Sequence, residues 1–78
     1  MANDVRLVVV RAGYDDDAKV WYVENSDLFG VRAEADTLDD LRDKLPNVVR
    51  DMVEANDGSL TGDILIEIVA HTSMRVAA

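Results

Sequence analysis

The chain has 78 residues, which suffices for one domain, here residues 1–78, and is close to the lower size limit for a self-sufficient hydrophobic core. It contains no cysteine, so disulfides and thiolate metal sites are excluded. Sixteen acidic and eight basic residues give a net charge of −8, which disfavours direct binding to nucleic acid and favours a basic protein partner. An acidic surface that only keeps the protein in solution is the simpler interpretation of the charge.

The sequence has no pattern typical of secretion or membrane insertion. Its N-terminal residues lack a long apolar run after a basic start. The longest apolar runs are far shorter than the roughly 20 residues that a membrane-spanning helix needs. We therefore expect a cytoplasmic protein with no membrane partner.

Three strands are predicted before the helix, over residues 4–13, 19–24 and 31–35. The run Leu7–Val10 in the first strand is apolar on both faces, which is typical of a central strand or of one covered by another subunit. An Asp-rich turn follows, in which side chains are expected to bond to nearby backbone groups. Gly30 in the second connection is free to adopt a positive φ. The small residues Ala33 and Ala35 share a face that a helix can approach closely.

A single amphipathic helix is predicted over residues 35–56. Its apolar residues recur at helical spacing on one side: Leu38, Leu41, Leu45, Val48, Val49, Met52 and Val53. Thr37 is the predicted N-cap. Pro46 removes one backbone hydrogen bond and should bend the helix, with two helices joined there as the alternative. We expect Asn56 or Gly58 to adopt the left-handed conformation that ends the helix.

A fourth strand over residues 63–74 gives the element order β-β-β-α-β. One of its faces carries Ile64, Ile66, Ile68 and Ala70. Short connections make the first three strands an antiparallel meander, and the helix returns the chain so that the fourth strand pairs in parallel with the apolar first strand. The predicted fold is α+β, with a four-stranded mixed sheet in the order 3-2-1-4 and one helix packed on one face.

The second face of this sheet has no predicted element to cover it. We expect Val8, Val10, Leu65 and Val69 to lie there, where they would form a large apolar patch on a monomer. A dimer or higher homo-oligomer that buries these residues is the expected assembly.

Patterns for catalysis and metal binding are weak. Asp15, Asp16 and Asp17, with Asp36, have the oxygen ligands that a divalent cation prefers, but the ligand alternation and closing Glu of an EF-hand are missing. A turn with solvated carboxylates is the favoured interpretation. His71 is the only histidine, so neither a catalytic triad nor a zinc site is indicated. We expect no enzymatic activity, no cofactor and no metal; a metal-dependent hydrolase that uses the Asp cluster is an alternative.

Three side chains are candidates for contact with a partner. Trp21 and Tyr22 are adjacent in the second strand, so they lie on opposite faces of the sheet. One of them should belong to the core, and the other is a candidate contact residue because aromatic side chains often anchor interfaces. Arg42 falls inside the apolar arc of the helix by angle, where it either extends to solvent or meets an acidic partner.

The segment from Tyr14 to Asn56 also resembles a known family. It reads YDDDAKVWYVENSDLFGV, then EADTLDDL at the start of the helix, and EAN at its end. This order of pieces resembles the short HicB-like proteins, in a branch described only as a domain of unknown function. The best-matching pieces are Val20-Trp21, Ser26-Asp27, Gly30 and Glu34 to Leu38. Phe29 departs from the pattern, since that turn often has proline there.

The resemblance implies a partial ribonuclease-H-like sheet with a helix on one face, in a domain that is not a nuclease. HicB antitoxins bind HicA, a small basic toxin that cleaves mRNA, so the resemblance implies a non-enzymatic antitoxin component. Full HicB proteins add a C-terminal DNA-binding segment that has no counterpart in this sequence, so direct nucleic-acid binding is not expected. An orphan homo-oligomeric domain of unknown function, without a cognate toxin, is the alternative.

Overall fold

The computed structural model describes residues 5–57 and 62–77. In chain order, the elements are strands β1 (Val5–Asp15), β2 (Val20–Ser26) and β3 (Glu34–Ala35), helix α1 (Leu38–Asp57) and strand β4 (Asp63–His71). β1 lies in the middle of the sheet, antiparallel to β2 and parallel to β4, and β3 pairs with the other side of β2. The predicted α+β fold and strand order 3-2-1-4 are confirmed.

Helix α1 covers one face of the sheet with its apolar stripe. The most deeply buried residues of the stripe are Leu41, Leu45, Val49 and Val53. The helix continues through Pro46, so the prediction of a single helix is confirmed and the two-helix alternative is wrong. Within the described residues, no helix has the length and apolarity that a membrane span requires.

The N-terminus of α1 is capped as predicted. The amide N of Asp40 donates to Thr37 Oγ1 at 3.0 Å, and the amide N of Leu41 donates to the Thr37 carbonyl at 3.0 Å. The side-chain bond satisfies one of the amides that a helix start leaves without an intrahelical partner.

At the C-terminus of α1, one of the two predicted caps is not used. Among the described residues, Lys19 is the only non-glycine residue with a positive φ, so Asn56 does not adopt the left-handed conformation. Its Nδ2 instead donates to the carbonyl of Met52, one helical turn earlier, at 2.9 Å. Gly58, the other predicted cap, lies outside the described residues.

The turn between β1 and β2 is closed by Asp15, two residues beyond the predicted strand end. Asp15 Oδ1 accepts hydrogen bonds from the amides of Asp17, at 2.9 Å, and Ala18, at 3.1 Å. The amide of Lys19, which has a φ of 60°, donates to the Asp15 carbonyl at 2.7 Å. These are the local side-chain and backbone bonds expected of clustered aspartates.

Strand β3 is shorter than the predicted five residues. Gly30, with a φ of 91°, turns the chain, and hydrogen bonding to β2 resumes where the amide of Val23 donates to the Ala33 carbonyl at 3.1 Å. Ala35 is buried and Ala33 is partly buried against the core, as predicted for this face, and Val31 is buried with them.

The core fills the space between α1 and the sheet. In the parallel register, Val8 lies opposite Ile66 and Val10 opposite Ile68, so these four residues share a face. Ile66 and Ile68 pack partly buried against the core, which confirms the predicted face of β4.

The prediction that Val8 and Val10 lie on the uncovered face is wrong. They are 1% and 0% exposed under the helix, so they are core residues of the single chain. The run Leu7–Val10 is apolar at every position, so it has no alternation from which the side could be assigned.

Candidate functional site

The sheet face opposite α1 is open, and we describe it as the open face. Odd-numbered residues of β1 and β4 lie on it, because the even-numbered ones face the helix. Four large apolar residues there have exposed fractions between 45% and 58%, and we call them the apolar patch: Val5, Leu7, Leu65 and Val69. Leu7 and Leu65 are directly opposite each other, so the patch extends across two strands.

The rest of the open face is polar and is built around a glycine. Gly13 of β1 has no side chain, and Glu24 of β2 lies over it, so that a methyl group at Gly13 would be 2.9 Å from Glu24 Cδ. Glu24 thereby reaches across the central strand to β4, where its Oε1 contacts His71 Nε2. The side chains of β2 and β4 are thus joined above β1.

A bulge in β2 places Glu24 over the glycine. Arg11 lies opposite Asn25 and the next residue, Ala12, opposite Val23, so Glu24 is the extra residue on its strand. A bulge redirects the side chain of the extra residue, which here allows Glu24 and Asn25 to serve the same face. Arg11 Nη1 donates to Asn25 Oδ1 at 3.2 Å beside this contact.

Acidic residues outnumber basic ones on the open face. Four carboxylates lie on the open face, around the apolar patch or in the polar half of the face: Glu24, Glu34, Asp63 and Glu67. Two basic residues accompany them: strand pairing places Arg11 among the carboxylates, and Arg32 lines a hollow with Tyr22 and Glu34. The open face therefore combines exposed apolar surface with net negative charge.

The three predicted contact residues do not form one site. Trp21 is packed against the core, with its ring centroid 5.2 Å from that of Tyr14, so it is the core member of the adjacent aromatic pair. Tyr22 lies on the open face opposite Glu34. Arg42 is exposed on α1 and lines a hollow beside β4. Contact with a partner stays a prediction for Tyr22 and Arg42.

The positions of Glu24 and Phe29 on the surface of the protein were not predicted from the sequence. Gly13 was the available pattern for Glu24, since a strand glycine often marks a bulge or a close approach, but the predicted strand ended at this residue, whereas β1 continues to Asp15. Phe29 is 88% exposed in the connection between β2 and β3, where its carbonyl is 3.5 Å from Asn56 Nδ2. Leu28 lies in the same turn and is buried, so the turn position alone does not distinguish the two residues.

The Asp cluster in the first turn is not arranged as a metal site. Asp15 Oδ1 is engaged by two backbone amides, and Asp16 and Asp17 are exposed. Within residues 5–57 and 62–77, no three His, Asp or Glu side chains are grouped in a way that could hold a metal ion. The metal-dependent hydrolase has no supporting geometry in this part of the chain.

The fold and its surfaces define a small α+β domain in which one sheet face is covered and the other is open. Residues 7–78 match the family model of a domain of unknown function, DUF1902, and the chain belongs to this family. It is similar to a hypothetical protein of the extremely thermophilic bacterium Thermus thermophilus, known from its crystal structure. The identity is 31% and the TM-score 0.75, over 91% of this chain and 100% of that one. None of the curated proteins matches the chain.

Proposed function

We propose that the protein is a non-enzymatic, HicB-like binding protein that holds a small basic protein of the HicA toxin type against its open face. The observation that carries the proposal is the composition of that face, where an exposed apolar patch is bordered by carboxylates. Apolar side chains supply the burial that keeps a complex together, and charges around them select the partner.

Charge also supports a basic partner over a second copy of this chain on the open face. Two copies that met through it would place Glu34, Asp63 and Glu67 of both copies in one interface, and gathering so many like charges there costs affinity. A basic protein gains from the same carboxylates. The net charge of −8 further accelerates the encounter with a cationic protein at low salt.

Binding fits the polar half of the face better than acid–base catalysis does. The contact between His71 and Glu24 lies on a sheet surface, with the histidine side chain 60% exposed. General acid–base groups work best in a cleft that shields them from water and orients a substrate. A polar contact that holds β2 and β4 in place explains the pair without a substrate.

Co-expression with a HicA-type toxin encoded beside this protein tests the proposal. We expect the two proteins to co-elute and the toxin's effect on growth to be suppressed. Absence of a neighbouring toxin gene, or separate elution of the two proteins, contradicts the antitoxin role.

Two lysine variants of equal charge test whether the open face is the binding surface. Leu7→Lys puts a cation in the apolar patch, and Ala55→Lys adds the same charge on the exposed side of α1. We expect Leu7→Lys to weaken toxin binding about tenfold or more and Ala55→Lys to change it less than about twofold. Equal weakening by both variants would show that only overall charge matters.

A further inference from the structure

We propose that a second copy of this chain binds along the free edge of β4, with residues 72–77 of each copy paired to β4 of the other. We call residues 72–77 the arm. The surface concerned is the edge of the sheet and the groove beside it, and the proposal does not depend on the function proposed for the open face.

The edge of β4 is long and unpaired. β4 has nine residues and is the outermost strand of the sheet, with β1 on one side and no strand on the other in the described part of the chain. A strand edge of this length presents a row of backbone N–H and C=O groups that an extended segment can pair with.

A groove follows the same edge on the helix side. α1 buries Val8, Val10 and Ala12 of β1 but leaves Ile64, Ile66 and Ile68 of β4 only partly buried. Two hollows of about 480 and 440 Å³ lie there, and both are lined by Pro46 and Ile66, so they are parts of one groove. Its lining is largely apolar and also includes the charged residues Arg42, Asp43, Arg50 and Asp63. Added apolar side chains in this groove would complete the cover over β4.

The arm has the side chains that such a groove accepts. It follows β4 directly, has no helix or strand of its own, and its residues are exposed. Met74 and Val76 are 81% and 85% exposed, so a partner that covered them would remove apolar surface from water. Both have even numbers, so in an extended continuation of β4 they lie on the same side as Ile64 and Ile66.

Two-fold symmetry brings the arm and the groove together. Two β4 strands related by a two-fold axis run antiparallel, and residues directly opposite each other in antiparallel strands share a face. In the register that sets Ala70 opposite its own copy, residues 72–77 lie opposite residues 63–68 of the partner's β4. Met74 then lies opposite Ile66 and Val76 opposite Ile64, inside the partner's groove.

Charge complementarity supports this arrangement on the other side of the paired strands. In the same register, Arg75 lies opposite Leu65 and diagonally beside Asp63 and Glu67 of the other copy. Diagonal neighbours in a sheet are within reach of long side chains, so the arginine offsets two carboxylates. A second copy is therefore the occupant that both the apolar and the charged residues of the arm fit.

Sedimentation or light scattering of the full chain tests the proposal. We expect a dimer that the arm variant Met74→Asp/Val76→Asp weakens about tenfold or more. The matched control Leu7→Asp alters an exposed apolar residue of the open face and should leave the dimer intact. A monomeric wild-type protein at every accessible concentration overturns the proposal, as does a dimer that Leu7→Asp disrupts and the arm variant does not.

Oxidative crosslinking tests the register, because the chain has no cysteine of its own. Ala70→Cys should form a disulfide between two copies, since its position next to the two-fold axis brings the two sulfurs together. Ala55→Cys, on the exposed side of α1, is the control and should stay reduced under the same conditions. Crosslinking at Ala55 but not at Ala70 would contradict pairing through β4.

Discussion

The two faces of the sheet are made by alternate residues of the same strands, yet one is covered and the other is open. Val8 and Val10 are fully buried under α1, whereas Leu7, which immediately precedes them, is half exposed. The side that the helix takes is the one without charged residues over the centre of the sheet. Arg11 and Glu67 share the other side with Leu7. Arg6 and Arg11, which flank the run Leu7–Val10, lie on opposite faces of the sheet, so the charges beside the run do not decide which of its faces becomes core.

The largest expected effect comes from truncating a residue on the covered side. Leu45 is fully buried, so Leu45→Ala leaves a cavity and should lower the free energy of unfolding by about 2–5 kcal/mol. Leu65→Ala, on the open face, should lower it by less than about 1 kcal/mol. Denaturant titration at one fixed protein concentration measures both. Comparable losses would show that the open face is buried in the native protein, and the contrast between the faces would fail.

A smaller loss of stability is expected from changes at Thr37, the N-cap of α1. Thr37→Ala removes the acceptor of the Asp40 amide and should cost about 0.5–2 kcal/mol of unfolding free energy. Thr37→Ser retains the hydroxyl and should cost less than about 0.5 kcal/mol. The same titration compares the two variants. If serine were as destabilising as alanine, the methyl group of Thr37 rather than its hydrogen bond would hold the helix start.

The smallest effect is expected on the open face, at the contact between Gly13 and Glu24. Gly13→Ala places a methyl group 2.9 Å from Glu24 Cδ, and the flexible carboxylate should yield by giving up His71. Alanine also restricts the unfolded chain relative to glycine, which favours folding by about 0.4–1 kcal/mol. With Glu24 present, these two effects oppose each other, so Gly13→Ala should change the free energy of unfolding by close to zero.

A double-mutant cycle separates the two contributions. In a Glu24→Ala background the crowding is gone, and Gly13→Ala should become stabilising, with a coupling of about 0.5–1 kcal/mol between the sites. Additive effects of the two substitutions would show that Glu24 does not lie over Gly13 in solution.

The parts of the fold that follow from local patterns were predictable from the sequence. The apolar stripe of α1 and its cap at Thr37 depend on neighbours within a few positions. The strand order followed from the lengths of the connections and the apolar character of β1. The faces of β4 could be assigned from alternation: Ile64 and Ile66 are apolar on one face, whereas Glu67 places a charge on the other.

The remainder depends on how distant strands align, which short patterns do not encode. The assignment of Val8 and Val10 needed the register of β1 against β4. The contact between Glu24 and His71 needed a bulge in one strand and a glycine in another. The sequence predicted an uncovered sheet face with Leu65 and Val69 on it, but it did not predict the contact of Glu24 with Gly13 and His71 on the same face.

The parallel pairing of β1 with β4 has a consequence for synthesis on the ribosome. Val5 pairs with Asp63, so the ribosome must add 58 further residues before β4, the second neighbour of β1, begins to be made. Until then, the nascent chain presents the bare edge of β1 next to a half-built core. Such an edge is the feature of incomplete chains that recruits chaperones and promotes aggregation. Stalled chains that lack β4 should therefore be recognised as unfinished, although every other strand and the helix have already been made.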